Sequence, residues 1–209
     1  MTKSIIVGVM SGKAEYLEPY RAAARRHGAG FGALLWASER TQAVRFDAME
    51  RMVEFEGRRV LDVGCGRGDL LDFLEKRGVT VASYVGIEGV AELAEAARGR
   101  EREGVQIIEA DFVAEPQRMF VGAEVVAMSG ALNTMGAEAF YRTIRRGFEA
   151  ASEVLVFNFL CSERLAGAPY LAWHRVEEVV GMVGTMSGEV RVVEDYLEGD
   201  CTVAVGKGQ

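Results

Sequence analysis

The sequence VLDVGCGRGDL, at residues 60–70, decides the fold. The apolar residues 60–63 predict a buried strand that runs into a glycine-rich turn, and the residues from Asp69 to Arg77 predict a helix closed by Gly78. Glycine allows a tight turn and lets a ligand approach the backbone amides. A strand, a glycine turn and a helix in this order indicate the ligand-binding unit of an α/β protein.

Short apolar runs alternate with helical patterns beyond this unit. We predict helices around residues 90–97, 137–151 and 176–183, and strands at 81–87, 105–109, 123–129 and 154–160. Such alternation predicts right-handed βαβ units and a mostly parallel sheet with helices on both faces. Two late strands, about 189–195 and 201–206, lie too close together for a crossover helix and predict an antiparallel hairpin.

The N-terminal part of the chain has a different sequence pattern. Residues 1–57 predict a helical cap segment, and residues 58–209 predict one α/β domain. Ser38 or Thr41 can cap a helix in which Phe46, Met49 and Val53 share one face. The apolar run at residues 5–10 is too short for a signal peptide or a membrane span, so we expect a cytoplasmic protein without a membrane partner.

Composition excludes several functional classes. The formal net charge of −7 repels polyanions on average, so DNA is not an expected partner. Three widely spaced cysteines do not form a disulfide framework, and two histidines without a Cys/His cluster predict no metal site. The sequence leaves the oligomeric state open.

Acidic residues follow three successive predicted strands. Asp62 precedes a G-x-G-x-G turn, whereas dinucleotide folds have G-x-G-x-x-G; a carboxylate there repels a pyrophosphate and suits a cationic ligand such as S-adenosylmethionine (SAM). Glu88 can accept hydrogen bonds from both ribose hydroxyls. Asp111 can accept from an adenine amino group, while Phe112 packs on the base. In open α/β sheets, ligands bind at these strand ends.

At these residues the chain resembles the class I SAM-dependent methyltransferases, over roughly residues 57–206. VLDVGCGRGDL resembles their first motif, VGIEG at 85–89 the second, and EADF at 109–112 the third. The resemblance implies a Rossmann-like, seven-stranded sheet with SAM as cofactor. WASERTQAVRF at 36–46, MSGALN at 128–133 and FNFL at 157–160 resemble one small bacterial subgroup of unassigned substrate.

Nine residues of the chain are expected to bind the cofactor. Arg45 is the best cation of the cap segment to meet the SAM carboxylate, although it can equally be a surface charge, and Cys65 is expected as a small residue against the ligand rather than a nucleophile. The expected cofactor-binding residues are Arg45, Asp62, Gly64, Cys65, Gly66, Glu88, Asp111, Phe112 and Ser129.

The expected reaction is in-line transfer of the SAM methyl group to an O or N atom of a small molecule. No residue is singled out as a base; candidates near the acceptor are Asn133, Asn158 and His174, although Asn158 can also satisfy loop backbone and His174 can cap a helix. Three alternatives stay open: a protein or RNA methyltransferase, a non-catalytic SAM-binding protein, and, disfavoured by Asp62 and the glycine spacing, a nicotinamide dehydrogenase.

Overall fold

The computed structural model describes residues 15–208, so the predicted apolar run at residues 5–10 and the first part of the predicted cap segment lie outside the described residues. Residues 15–208 form six α-helices and seven strands. They are α1 (Glu18–His27), α2 (Glu39–Met52), β1 (Arg59–Val63), α3 (Asp69–Lys76), β2 (Ser83–Glu88), α4 (Ala91–Arg98), β3 (Val105–Glu109), β4 (Val125–Met128), α5 (Ala137–Ala150), β5 (Val154–Leu160), α6 (Val176–Gly184), β6 (Val190–Val193) and β7 (Asp200–Gly206). Short 3₁₀ turns lie at Glu15–Leu17, Phe31–Leu34 and Pro116–Met119.

The strands form one seven-stranded sheet in the order β3-β2-β1-β4-β5-β7-β6. Strands β1 to β5 pair in parallel, whereas β7 is antiparallel to both of its neighbours, β5 and β6. The predicted α/β, Rossmann-like sheet and its C-terminal hairpin are therefore confirmed. The chain reverses its direction of winding between β1 and β4, and open α/β sheets bind ligands at such a switch point.

Helices cover both faces of the sheet, because alternate residues of each buried strand point to opposite sides. Leu61 and Val63 of β1 belong to the core under α5 and α6, whereas Val60 belongs to the core under α2 and α3. Phe140 and Phe157 are fully buried in the first core. With both faces covered, the polar strand ends are the part of the sheet left to bind a ligand.

Helix α2 begins where the sequence predicts a cap. The Ser38 Oγ accepts the Thr41 backbone N–H, and the Thr41 side chain accepts the Ser38 N–H, which is a capping box. Its buried face includes Phe46 and Met49. Helix α2 then packs on α3, β5 and β7, and these contacts connect the cap segment to the sheet.

Three predicted strands are shorter in the structure. Strand β2 begins at Ser83 rather than 81, and β6 covers Val190–Val193 rather than about 189–195. Strand β4 begins at Val125 rather than 123 and ends at Met128, because the chain turns at Gly130, whose φ is +73°. Within residues 15–208, no helix has the length and apolarity needed to cross a membrane.

Candidate active site

A cleft opens at the carboxyl ends of β1, β2 and β4, between the sheet and the cap segment. The space inside it and its mouth is about 770 Å³, within the usual range of small-ligand sites. Eight predicted site residues line it: Asp62, Gly64, Cys65, Gly66, Glu88, Phe112, Ser129 and Asn133. The structure thus brings together residues that lie up to 71 positions apart in the sequence.

Asp62 lies at the floor of the cleft. It is buried, and its Oδ2 accepts a 2.5 Å hydrogen bond from the hydroxyl of Tyr84, on the neighbouring strand. Burial raises the pKa of Asp62 to about 7, although the Tyr84 hydrogen bond acts in the opposite direction. Its charge has no cation beside it among the described lining residues, so a cationic ligand group would stabilise the carboxylate.

Glu88 connects the end of β2 to the glycine turn. Its Oε2 accepts from the Gly66 N–H and its Oε1 from the Val90 N–H, both at 2.8 Å. Each carboxylate oxygen has a second lone pair, so Glu88 can hold the turn and still accept hydrogen bonds from a ligand. Burial raises the pKa of Glu88 to about 7, opposed by these backbone hydrogen bonds.

The backbone of the glycine turn lies so close to neighbouring residues that there is no room for a Cβ at two of its glycines. Gly64 has a φ of +74°, and a Cβ there would come within 2.5 Å of the Ala131 Cβ. Gly66 has a φ of +58°, and a Cβ there would come within 2.8 Å of Leu34, in the cap segment. Cys65, between them, is buried, and burial raises the pKa of its thiol. The cysteine therefore acts as a small apolar residue at this position.

Asp111 lies beside the cleft rather than in its lining. Its Oδ1 accepts from the Tyr16 hydroxyl at 2.6 Å and from the backbone N–H groups of Val113 and Ala114. The Tyr16 ring also packs against Phe112, with ring centroids 5.7 Å apart. The cap segment thus occupies one oxygen of the carboxylate that we expected to face an adenine.

Arg45 does not reach the cleft. Its Nε and Nη2 both bind the Oδ2 of Asp200, at the start of β7, and its Nη1 donates to the Thr41 carbonyl. Both partners of the ion pair are buried. The sequence marked Arg45 as the cation for the SAM carboxylate, but the structure satisfies its charge within the protein, through a carboxylate distant in sequence.

The glycine turn, the two buried carboxylates and the sheet order agree with a sequence match. The family described as a methyltransferase domain matches residues 35–153, which is more than half of the 209 residues. The chain belongs to the class I SAM-dependent methyltransferases. It is accordingly an enzyme with SAM as its cofactor, as its sequence motifs predict. No curated protein sequence matches this methyltransferase significantly.

Solved structures share the fold at low sequence identity. Magnesium protoporphyrin IX methyltransferase from Synechocystis, with bound S-adenosylhomocysteine (SAH), is 13% identical over 92% of this chain and 96% of that chain, with a TM-score of 0.66. A complex of DhpI with SAM and HEP is 16% identical over 93% and 99%, with a TM-score of 0.67. A SAM-dependent methyltransferase from Archaeoglobus fulgidus is 14% identical over 78% and 93%, with a TM-score of 0.62.

The cap segment of the methyltransferase supplies much of the cleft lining. Tyr20 donates a 3.0 Å hydrogen bond to the Gly130 carbonyl, and Trp36 packs so closely that a Cβ on Gly130 would lie 2.6 Å from its indole. Both contacts join residues distant in the sequence, which local patterns do not reveal, although Tyr16 and Tyr20, four positions apart, are spaced to share one face of a helix. The cap residues in the lining are Tyr16, Leu17, Tyr20, Leu34, Leu35, Trp36, Gln42 and Phe46.

Asn158, on β5, also binds the backbone of Gly130. The fully buried Asn158 accepts the Gly130 N–H at 2.9 Å and donates to the Ser129 Oγ at 3.0 Å. Its amide is therefore engaged with the protein, outside the cleft lining. Asn133 does line the cleft, with its Oδ1 accepting from the Leu160 N–H at 3.3 Å.

His174 lies away from the cleft of the methyltransferase. Its ring stacks on Phe140 at a centroid distance of 3.7 Å, and its backbone N–H donates to the Leu160 carbonyl. Burial lowers the pKa of His174. Among the described residues its Nε2 has no hydrogen-bond partner. The structure therefore does not bring this imidazole to the expected acceptor.

Proposed function

We propose that this methyltransferase transfers the SAM methyl group to an oxygen or nitrogen of a small organic molecule, bound under the cap segment. The observation that carries the proposal is the roofed cleft, in which Tyr20 and Trp36 pack on Gly130 directly above the end of β4. A bulky macromolecular acceptor would have to displace these contacts, whereas a small molecule need not. Cover by the cap segment also limits the access of water to the reaction.

The geometry supports one orientation of the cofactor. Asp62 can bind the ammonium group, because its buried carboxylate lacks a cation in the described lining. Glu88 can accept from the ribose hydroxyls, and Phe112 can pack against the adenine. Ser129 and Asn133 would then remain free to contact the acceptor.

The side chains of the protein have a limited role in the chemical step. When bound, SAM would supply a methyl group that its sulfonium already activates. Transfer of the methyl group would leave the thioether of SAH, and the acceptor would lose a proton to solvent. The residues of the cleft align the acceptor for in-line attack, which by itself lowers the barrier substantially. A general base is needed only for an acceptor that arrives protonated.

Methyl-labelled SAM and a metabolite extract test this function directly. We expect the label in a molecule of the metabolite fraction, with no transfer by Asp62→Asn and normal transfer by Glu109→Gln. Glu109 ends strand β3, which pairs with β2, is exposed and pairs with Arg98, so it is an acidic control outside the cleft lining. Label that appears only in added protein or RNA would show that the acceptor is a macromolecule.

A further inference from the structure

Carboxylates dominate the charge of the cleft. Among the described lining residues the charged side chains are Asp62, Asp69 and Glu88, with no Lys or Arg. Asp69 has a cationic partner, because Arg67 binds it at 2.8 Å from outside the lining. Asp62 and Glu88 do not, so the charge that they carry when ionised gives the interior of the cleft a negative potential.

Trp36 forms an aromatic wall beside these carboxylates. Its indole lines the cleft and contacts the backbone at Gly130, the second residue after β4. The guanidinium of Arg45 lies 4.7 Å from the centroid of the indole ring. An aromatic ring that contacts both a backbone turn and a guanidinium has little freedom, so the part of the indole that lines the cleft is a pre-organised surface for a ligand.

The charge of Arg45 is already compensated. Asp200 binds it, and Tyr196 donates to the other oxygen of Asp200 at 2.7 Å. The cation nearest to Trp36 is therefore bound within the protein and does not offset the carboxylates for an anionic ligand. Its contribution to the cleft is to orient the indole.

Two neutral donors face the same region. The Ser129 Oγ accepts from Asn158, so the Ser129 hydroxyl hydrogen can be donated to a ligand. The Oδ1 of Asn133 accepts from the Leu160 N–H, which orients the Asn133 amide with its Nδ2 able to donate. Uncharged donors of this kind suit a carbonyl, hydroxyl or ring nitrogen.

We propose that the acceptor is a flat organic molecule without net negative charge, which stacks on Trp36 and accepts hydrogen bonds from Ser129 and Asn133. This inference rests on the proposed function, because it concerns the acceptor half of the same cleft. A cationic amine is compatible with it, since the carboxylates of the cleft attract positive charge. An aromatic carboxylate or a phosphate ester is disfavoured by the same carboxylates.

Three probes of one ring size separate the contributions of shape and charge. They are 4-hydroxybenzamide, which is neutral, tyramine, which is a cation, and 4-hydroxybenzoate, which is an anion. Each is titrated calorimetrically into the full chain saturated with SAH. We expect the neutral and cationic probes to bind about tenfold or more tightly than the anion, because zwitterionic SAH leaves the net negative charge of the two carboxylates in place. Tighter binding of 4-hydroxybenzoate, equal binding of all three probes, or binding of none, would overturn the proposal.

The two tryptophans of the chain provide a matched pair of variants. Trp36→Leu should weaken 4-hydroxybenzamide binding by about three- to tenfold, the usual contribution of an aromatic pair. Trp173→Phe should leave the binding unchanged, because Trp173 is not in the described cleft lining. Equal binding by Trp36→Leu and the wild type would contradict stacking on the indole.

SAH binding separates this inference from the proposed function. SAH that binds the wild type and Trp36→Leu equally shows that both are folded with an intact cofactor half. The probe results then test the acceptor class alone. A wild-type chain that fails to bind SAH would instead refute the proposed placement of the cofactor.

Discussion

The hydroxyl of Tyr84 lies 2.5 Å from the Oδ2 of Asp62, and both side chains are almost entirely buried under the glycine turn. Tyr84 pairs with Val60 in the sheet, two residues before Asp62 on the same face of β1. An ionised carboxylate accepts this hydrogen bond more strongly than a protonated one. Tyr84 therefore favours the charged form of a group that burial would otherwise keep neutral.

The first prediction is that SAH affinity falls as the pH is lowered below about 7. Burial raises the pKa of both Asp62 and Glu88 to about 7, so both take up protons in the unliganded protein below that pH. The ammonium and ribose groups bind the ionised forms, so binding must release these protons, and the affinity reaches a plateau at higher pH. Calorimetric titrations at about pH 6 and about pH 8 measure the difference. Equal affinities would remove both carboxylates from the proposed site.

The second prediction is that Tyr84→Phe moves this pH dependence upward. Loss of the hydrogen bond removes an effect that lowers the pKa of Asp62, so a higher pH is needed to reach full affinity. The same titrations over a range of pH values give the midpoint. Tyr141→Phe, on α5 and distant from the described cleft lining, should keep the wild-type midpoint.

The third prediction is that Glu88→Gln weakens SAH binding by about 2–4 kcal/mol, because charged hydrogen bonds contribute about 1.5–3 kcal/mol each. The amide can also set a donor against the N–H of Gly66 or Val90, so we expect a lower melting temperature. Calorimetry and thermal unfolding measure the two effects. Glu109→Gln, the residue paired with Glu88 in β3, is the control and should change neither. Wild-type affinity in Glu88→Gln would contradict the assignment of the ribose site.

The fourth prediction is that Asp200→Asn makes Trp36 more accessible to solvent. A buried guanidinium that loses its carboxylate costs about 3–5 kcal/mol and no longer fixes the indole. In a Trp173→Phe background Trp36 is the sole tryptophan, so quenching by acrylamide reports on it alone.

Two further variants keep this measurement interpretable. Tyr196→Phe removes one hydrogen bond from Asp200 and should produce a smaller change in the same direction. Asp47→Asn, in α2, breaks the ion pairs of Asp47 with Arg51 and Arg77 and should leave the quenching unchanged. Unaltered quenching in folded Asp200→Asn and Tyr196→Phe would mean that Arg45 does not hold the ring.

The fifth prediction concerns the cap segment as a cover for the cofactor. SAH should slow amide hydrogen exchange around Tyr16–Tyr20 and Leu34–Trp36, because these residues line the cleft from above. Helix α6 lies outside the described lining and provides the internal reference. Identical exchange in the cap with and without SAH would argue against closure over the ligand.

The sequence predicts those parts of the fold that depend on local patterns. The glycine turn is recognisable because Gly64 and Gly66 need positive φ values and close packing within a short stretch. Asp62 and Glu88 are predictable for a related reason: each lies at a strand end, and parallel strand ends meet at one edge of the sheet. The fold and the cofactor-binding half of the cleft can therefore be predicted from short segments of the sequence.

Several expected site residues have side-chain partners that are distant in sequence. Arg45 and Asp200 are 155 positions apart, and no periodicity in either segment reveals their pairing. Asp111 is engaged by Tyr16 across 95 positions, and His174 packs on Phe140 instead of facing the cleft. Tertiary packing assigns these polar groups, so residue type alone overestimated how many are free to bind a ligand.

The position of β7 between β5 and β6 affects how the enzyme is made. Synthesis by a ribosome proceeds at about 5–20 residues per second, so Asp200 follows Arg45 by roughly 8–30 s. During that interval α2 can form, but Arg45 has no buried counter-charge and the sheet lacks an interior strand. The nascent cap is therefore expected to remain undocked until β7 emerges, so a cofactor-competent cleft cannot form before β7 has been synthesised.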